Sequence, residues 1–351
     1  MASLSQVFSV LHDIPTAVRI VTLIVTIPFA LYAYDWARRE KLFPGYPLIA
    51  LDGKTPEDSW INYPKETLVK GAQLCPDSPF QVVSNTGPKI IIPQRYADEV
   101  RASTVLNFPK SFMAEIPWRL AGFTAFALQQ HDPAILPAVI RTKLSSTLSN
   151  LIQPLIDECL LVINDQFGKQ VEGEWNTIEI EPNMVQMIAR FTLRTMLGEE
   201  KAHDPELIEI HVGHAKQIFS AGNDIRAFPT ILWPIVQWFL PGPRILRQQL
   251  RRSYEIMGDE VGRLEEEAKA TIAAGKKVDK YTDSVGWFVE VTKGRKYDLI
   301  AAQLGFSMAS IHNTSAVSII AFVFMSKFAR LMVLLATGWS HVGTLRTSRM
   351  D

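Results

Sequence analysis

The stretch ASIHNTS, Ala309 to Ser315, interrupts a run that otherwise reads as a buried helix. Ser, His, Asn, Thr and Ser stand where apolar residues would pack. At 100° per residue, Gln303, Ser307, Ser310, Thr314 and Ser318 share one narrow face. The remaining faces carry Leu299, Ile300, Leu304, Phe306, Met308, Ile311, Val317, Ile319 and Ile320. A helix apolar on nearly every side belongs in a large core, so the stripe faces either a partner or a polar cavity. The plain alternative is that each hydroxyl bonds back to a carbonyl one turn earlier. That explains one hydroxyl more readily than an aligned row with Asn313 beside it. Upstream, Asp298 is placed to cap this helix.

The surrounding chain reads as mainly α with a small β-rich part. FQVVS (Phe80–Ser84), the turn Asn85-Thr86-Gly87-Pro88 and KIII (Lys89–Ile92) predict a β-hairpin, and Tyr96–Ser103 a short helix after Pro93. Asp132-Pro133 predicts an N-cap and first helical residue for a helix through ILPAVIRTKLSSTLSNL, with another from near Pro154 to Phe167. Pro182–Leu197 is amphipathic with Gly198 as its stop, and His203-Asp204-Pro205 opens the next helix. The aromatic stretch Phe228–Pro243 reads as core packing or as a patch dipping into a membrane surface. The arginines 244, 247, 251 and 252 are answered by acids on the same helix, a solvated charged face. Glu260 and Arg263 form a helix salt bridge by the same reading.

At the other end, IVTLIVTIPFALYAY (Ile20–Tyr34) has no charge and is followed by Arg38, Arg39 and Lys41. A downstream basic flank with Trp36 fits a retained anchor whose C-terminal side faces the cytosol, rather than a cleaved leader. Phe43-Pro-Gly-Tyr-Pro47 is a stiff joint after it. Lys plus Arg equals Asp plus Glu at 36 each, so no net charge recruits nucleic acid. Cys75 and Cys159 are the only cysteines and lack metal-ligand spacing.

In this order and spacing, the segments resemble the fungal, membrane-anchored branch of the cytochrome P450 superfamily, the haem-thiolate monooxygenases. Ala309, Ser310, Ile311, His312, Asn313 and Thr314 are similar to that family's small-small-x-acid-Thr-Thr/Ser motif, with Asn313 where a threonine usually stands. The anchor with FPGYP, the hairpin segment PFQVVSNTGPKIIIPQRYADEVR, and HDPAILPAVIRTKLSSTL resemble further family segments. Pro137 occupies the place of an expected tryptophan. The resemblance implies haem as cofactor, with Ser310, Asn313 and Thr314 on its oxygen side as catalytic residues and Arg141 holding a propionate. It also implies hydroxylation or related oxidation of a lipophilic small molecule, electrons from an NADPH-cytochrome reductase, and an endoplasmic reticulum membrane location with the domain in the cytosol. Terpenoid, polyketide and alkaloid metabolites are the implied substrate classes.

The family also needs a cysteine thiolate and a Glu-x-x-Arg helix downstream, yet no cysteine follows Cys159 and no glutamate follows Glu290. The expected organisation is therefore an anchor with basic flank (1–42), a partial cytochrome P450 domain (43–315) and a divergent tail (316–351), a C-terminally truncated form lacking its axial metal ligand. In that tail Lys327 and Arg330 interrupt an apolar run that would otherwise span a membrane. A non-catalytic membrane-anchored remnant that binds lipid or a partner is the competing reading.

Overall fold

The computed structural model describes residues 41–168, 177–276 and 283–347, with scattered positions between 15 and 37. Side chains of the last helix are described as far as Phe328. The greater part of the expected anchor, and most of the basic loop after Gly275, lie outside the described residues. The chain divides into two compact units, one built from Met1–Glu115 with Ala221–Pro243, the other from Ile116–Ser220 with Arg244–Asp351.

The first unit holds α1 (Pro56–Asn62), α2 (Pro64–Leu74) and the antiparallel hairpin β1 (Phe80–Ser84) and β2 (Gly87–Ile91). Ser84 pairs with Gly87, so the turn is only Asn85-Thr86 and Gly87-Pro88 already belong to the second strand. Phe80, Val82 and Ile49 form a small core with Trp60, Cys75 and Ile91 against it. Gly71 of α2 lies against the Phe80 ring, where an added Cβ would come within 2.4 Å of Cζ. Gln81 fastens the proline-rich joint: its amide side chain bonds Phe43 N, Phe43 O and Tyr46 O at 2.9, 2.9 and 2.6 Å. Its backbone meets Pro47 O and Ile49 N, both at 2.9 Å. Next come α3 (Ala97–Ala102) and α4 (Phe108–Ala114), whose N-cap Asn107 accepts from Lys110 N.

The second unit is helical. It contains α5 (Thr124–His131), α6 (Ile135–Val139), a π-turn over Ile140–Leu144, α7 (Ser145–Phe167), α8 (Ile180–Leu197) and α9 (Glu199–Ala202). Two expectations need correction here. The helix after Asp132 begins at Ile135, because Asp132 is engaged otherwise: its carbonyl accepts from Ile135 N and its carboxylate pairs with Arg295. And α7 runs through Pro154 without a new start. A mid-helix proline removes one ladder donor. Thr147, Glu158 and Val162 are buried on both sides of it, so packing holds the two halves on one axis.

From Pro205, α10 runs to Arg226, with Asp204 accepting from Leu207 N as its cap. Then follow α11 (Trp233–Val236), α12 (Pro241–Ala273), α13 (Ser284–Thr292) and α14 (Leu299–Thr347). The charged face of α12 carries Arg251–Glu255, Arg263–Glu260, Arg263–Glu267 and Lys269–Glu265 pairs, as the sequence predicts. Leu193, Met196, Leu207, Met257, Val285, Phe288, Leu299 and Phe306 bring α8, α10, α12, α13 and α14 into one core. Buried Glu158 on α7 meets Arg190 of α8 at 2.6 Å and His203 at 3.0 Å.

Candidate functional site

Asp298 sets the start of α14: Oδ1 accepts from Ala301 N at 3.0 Å, and Oδ2 accepts from the Tyr254 hydroxyl. From Leu299 to Ser307 every residue of this helix is buried. Thr192 of α8 meets Ser310, while Val185 and Ala189 meet Ile311, so α8 and α14 run in opposite directions. Past that point burial thins, with Asn313, Thr314, Ala316 and Val317 exposed. Ser315 is the last fully buried residue described, and its hydroxyl bonds back to Ile311 O at 2.6 Å. The helix itself continues without a break across 315.

The polar row is real, and its upper members are spoken for. Gln303 Oε1 accepts from the Ser284 hydroxyl of α13. Ser307 Oγ lies 2.8 Å from His211 Nδ1 and donates to Leu304 O at 3.0 Å. Ser310 Oγ reaches Ser307 O at 3.2 Å and Thr192 Oγ1 at 3.3 Å. These residues therefore face neighbouring helices. Thr314 has the same azimuth but is exposed, although Ser315 next to it is buried. Asn313 is exposed beside it, its amide nitrogen bonded back to Ala309 O at 3.0 Å. His312, opposite the polar row, reaches Val212 O of α10 at 3.0 Å.

Two histidines on α10 lie beside this row, His211 bonded to Ser307 and His214 facing Gln249. Since Ser307 donates its own proton to Leu304, His211 must donate through Nδ1, leaving the Nε2 lone pair free. His214 Nδ1 faces Gln249 Oε1 at 3.3 Å, which fixes the same tautomer. Neither Nε2 has a protein partner, nor does Gln303 Nε2. Burial pulls His211 down to about 3, with His214 adding to it, and pulls His214 down to about 4. Both are neutral imidazoles at pH 7. A signal existed: Leu207, His211, His214 and Ile218 follow the spacing of a core stripe, and all four are buried.

Arg141 sits on the π-turn and is exposed, and no bond joins it to α14 among the described residues. The first unit contains an open groove of 790 Å³ lined by Phe43, Tyr46, Ile90, Tyr96, Val100 and Leu106. No residue of α14 lines it.

The donors present do not fit thiolate-ligated haem. Cys159 is half-buried on α7, and Cys75 packs in the small core of the first unit. Neither lies on α14 or among the bonded partners of its polar row. Among the described residues no three His, Cys, Asp or Glu side chains gather as metal ligands.

No family model matches the chain. Among curated proteins it is similar to the cytochrome P450 monooxygenase bsc2 of Alternaria brassicicola, 27% identical over 84% of this chain and 56% of that one. It is 31% identical to a cytochrome P450 monooxygenase of Gibberella fujikuroi, over 69% of this chain and 55% of that one. To the dihydromonacolin L monooxygenase LovA of Aspergillus terreus it is 28% identical, over 68% and 45%. The chain thus spans about half the length of the curated relatives it matches.

Proposed function

The chain belongs to the cytochrome P450 superfamily, and from that premise we propose that it carries the oxygen-side part of a haem-dependent monooxygenase. Its substrate is a lipophilic small molecule of fungal secondary metabolism, of terpenoid, polyketide or alkaloid class. An NADPH-cytochrome reductase supplies the electrons, on the cytosolic side of the endoplasmic reticulum membrane. The organisation is an anchor over 1–42, a partial catalytic domain over 43–315 and a divergent segment over 316–351. The observation that carries the reading is the Asn313 amide and Thr314 hydroxyl side by side on the uncovered face of α14. Directly behind them is a polar row already held by Thr192, His211 and Ser284. Groups fixed in this way can hold a proton at a stated atom without rearranging.

Because Cys75 and Cys159 do not fit the thiolate role, the same observation favours a second reading for this chain acting alone. It would then be a non-catalytic membrane-anchored protein that binds lipid or a partner. One experiment tests whether this chain alone ligates haem through a cysteine. Purified chain is supplemented with hemin, reduced and exposed to carbon monoxide. No absorption band of a thiolate-ligated carbonyl is expected. A thiolate band abolished by Cys75→Ser or Cys159→Ser would make that cysteine the ligand and the chain a self-sufficient haem protein.

A further inference from the structure

Beyond Ser315, α14 has no polar back. Val317, Ile320, Phe322, Val323, Phe324 and Phe328 are all exposed, and at 100° per residue they point to every side of the axis. The polar exceptions up to Phe328 are Ser318, Ser326 and Lys327, and Ser326 bonds back to Val323 O at 2.9 Å. A helix made to dock in a protein groove keeps one apolar stripe and a polar remainder. Apolar residues on every side suit either a large protein core or hydrocarbon, and among the described residues no element covers Phe322 to Phe328.

The charge on this segment has one sign. Between Leu299 and Met350 there is no Asp or Glu, and the charged residues are Lys327, Arg330, Arg346 and Arg349. Length then decides how deep it goes. Leu299–Phe328 is long and apolar enough to cross a membrane by composition, but its first part is buried in the second unit. The apolar stretch from Ala316 to Ser326, which the charge of Lys327 closes, rises about 16 Å, short of the ~30 Å hydrocarbon core. We propose that this stretch of α14 enters one leaflet of an anionic bilayer, its aromatic and aliphatic side chains in the acyl region and Lys327 drawn to the headgroups. This surface is independent of the monooxygenase reading and needs no haem.

The test uses the full chain with Cys75→Ser and Cys159→Ala, carrying Phe324→Cys with an environment-sensitive fluorophore. Phe324 is 72% exposed, so the label displaces no packing. A second protein labelled at Glu266→Cys, on the charged face of α12, reports open solvent. Both are bound to phosphatidylcholine vesicles with and without phosphatidylserine. Brominated acyl chains should quench the Phe324 label and aqueous iodide should not, with the reverse at Glu266. Lys327→Glu should weaken bromolipid quenching about tenfold on phosphatidylserine vesicles and little on phosphatidylcholine alone. Iodide reaching Phe324 as freely as Glu266 overturns the proposal. So does a label shielded from both quenchers, which would mark a protein cover or a second copy of the chain.

Discussion

His211 donates through Nδ1 to the Ser307 hydroxyl at 2.8 Å, across 96 residues of sequence, and both groups are fully buried. That bond ties α10 to α14 and divides the polar row into a fixed part and a free part. Ser307→Ala leaves a buried imidazole N–H unpaired and should cost about 1–3 kcal/mol. Asn313→Ala and Thr314→Ala, at exposed positions, should each stay within about 0.5 kcal/mol of the parent. Denaturant midpoints in a mild detergent read both. Equal losses at Ser307 and Thr314 would mean that the row is not divided in this way.

Acid should destabilise the second unit through the same histidines. Their folded values, about 3 and about 4, lie below the unfolded value of 6.5. The unfolded chain therefore binds more protons between pH 6.5 and about 4. Stability is full above pH 6.5 and falls as pH drops through that window, by up to about 1.4 kcal/mol per pH unit for each histidine. Unfolding midpoints from pH 7 to 4.5 measure the slope. Replacing both by glutamine should flatten it, and an unchanged slope would assign the acid sensitivity elsewhere.

Gly71→Ala should destabilise the hairpin unit although alanine favours helix. The propensity gain is about 1 kcal/mol, whereas forcing a Cβ against the buried Phe80 ring costs about 1–3 kcal/mol. Pairing it with Phe80→Leu should recover part of the loss, and a thermal-melt double-mutant cycle detects the coupling. Additive effects would show that the two positions do not press on one another.

Arg38, Arg39 and Lys41 should keep the chain from Phe43 onward on the cytosolic side. In sealed microsomes, added protease should degrade that region completely. Its survival until detergent is added would reverse the orientation.

The helix types and the hairpin were legible because period and turn chemistry are local. ASIHNTS was legible as an aligned row for the same reason. What held the row was not: period tells which face is polar, while His211 and Thr192 come from helices roughly a hundred residues upstream, and nothing local links them to Ser307 or Ser310. The helix through Pro154 failed for the opposite cause. Local chemistry argued for a break, and burial of Thr147, Glu158 and Val162 overrode it. Asp132 failed similarly, its carboxylate being taken by Arg295, whose position no local pattern gives.

Gln81 has a mechanical consequence. Phe43 N and O, Tyr46 O, Pro47 O and Ile49 N all end on this one residue, and the strand-like step at Leu48 runs parallel to β1. A pull arriving along the chain at Leu42 is therefore shared by several bonds at once instead of opening them one after another. The joint acts as a rigid mount: tension passes into the hairpin within a residue, and the prolines at 44 and 47 leave little slack to absorb it.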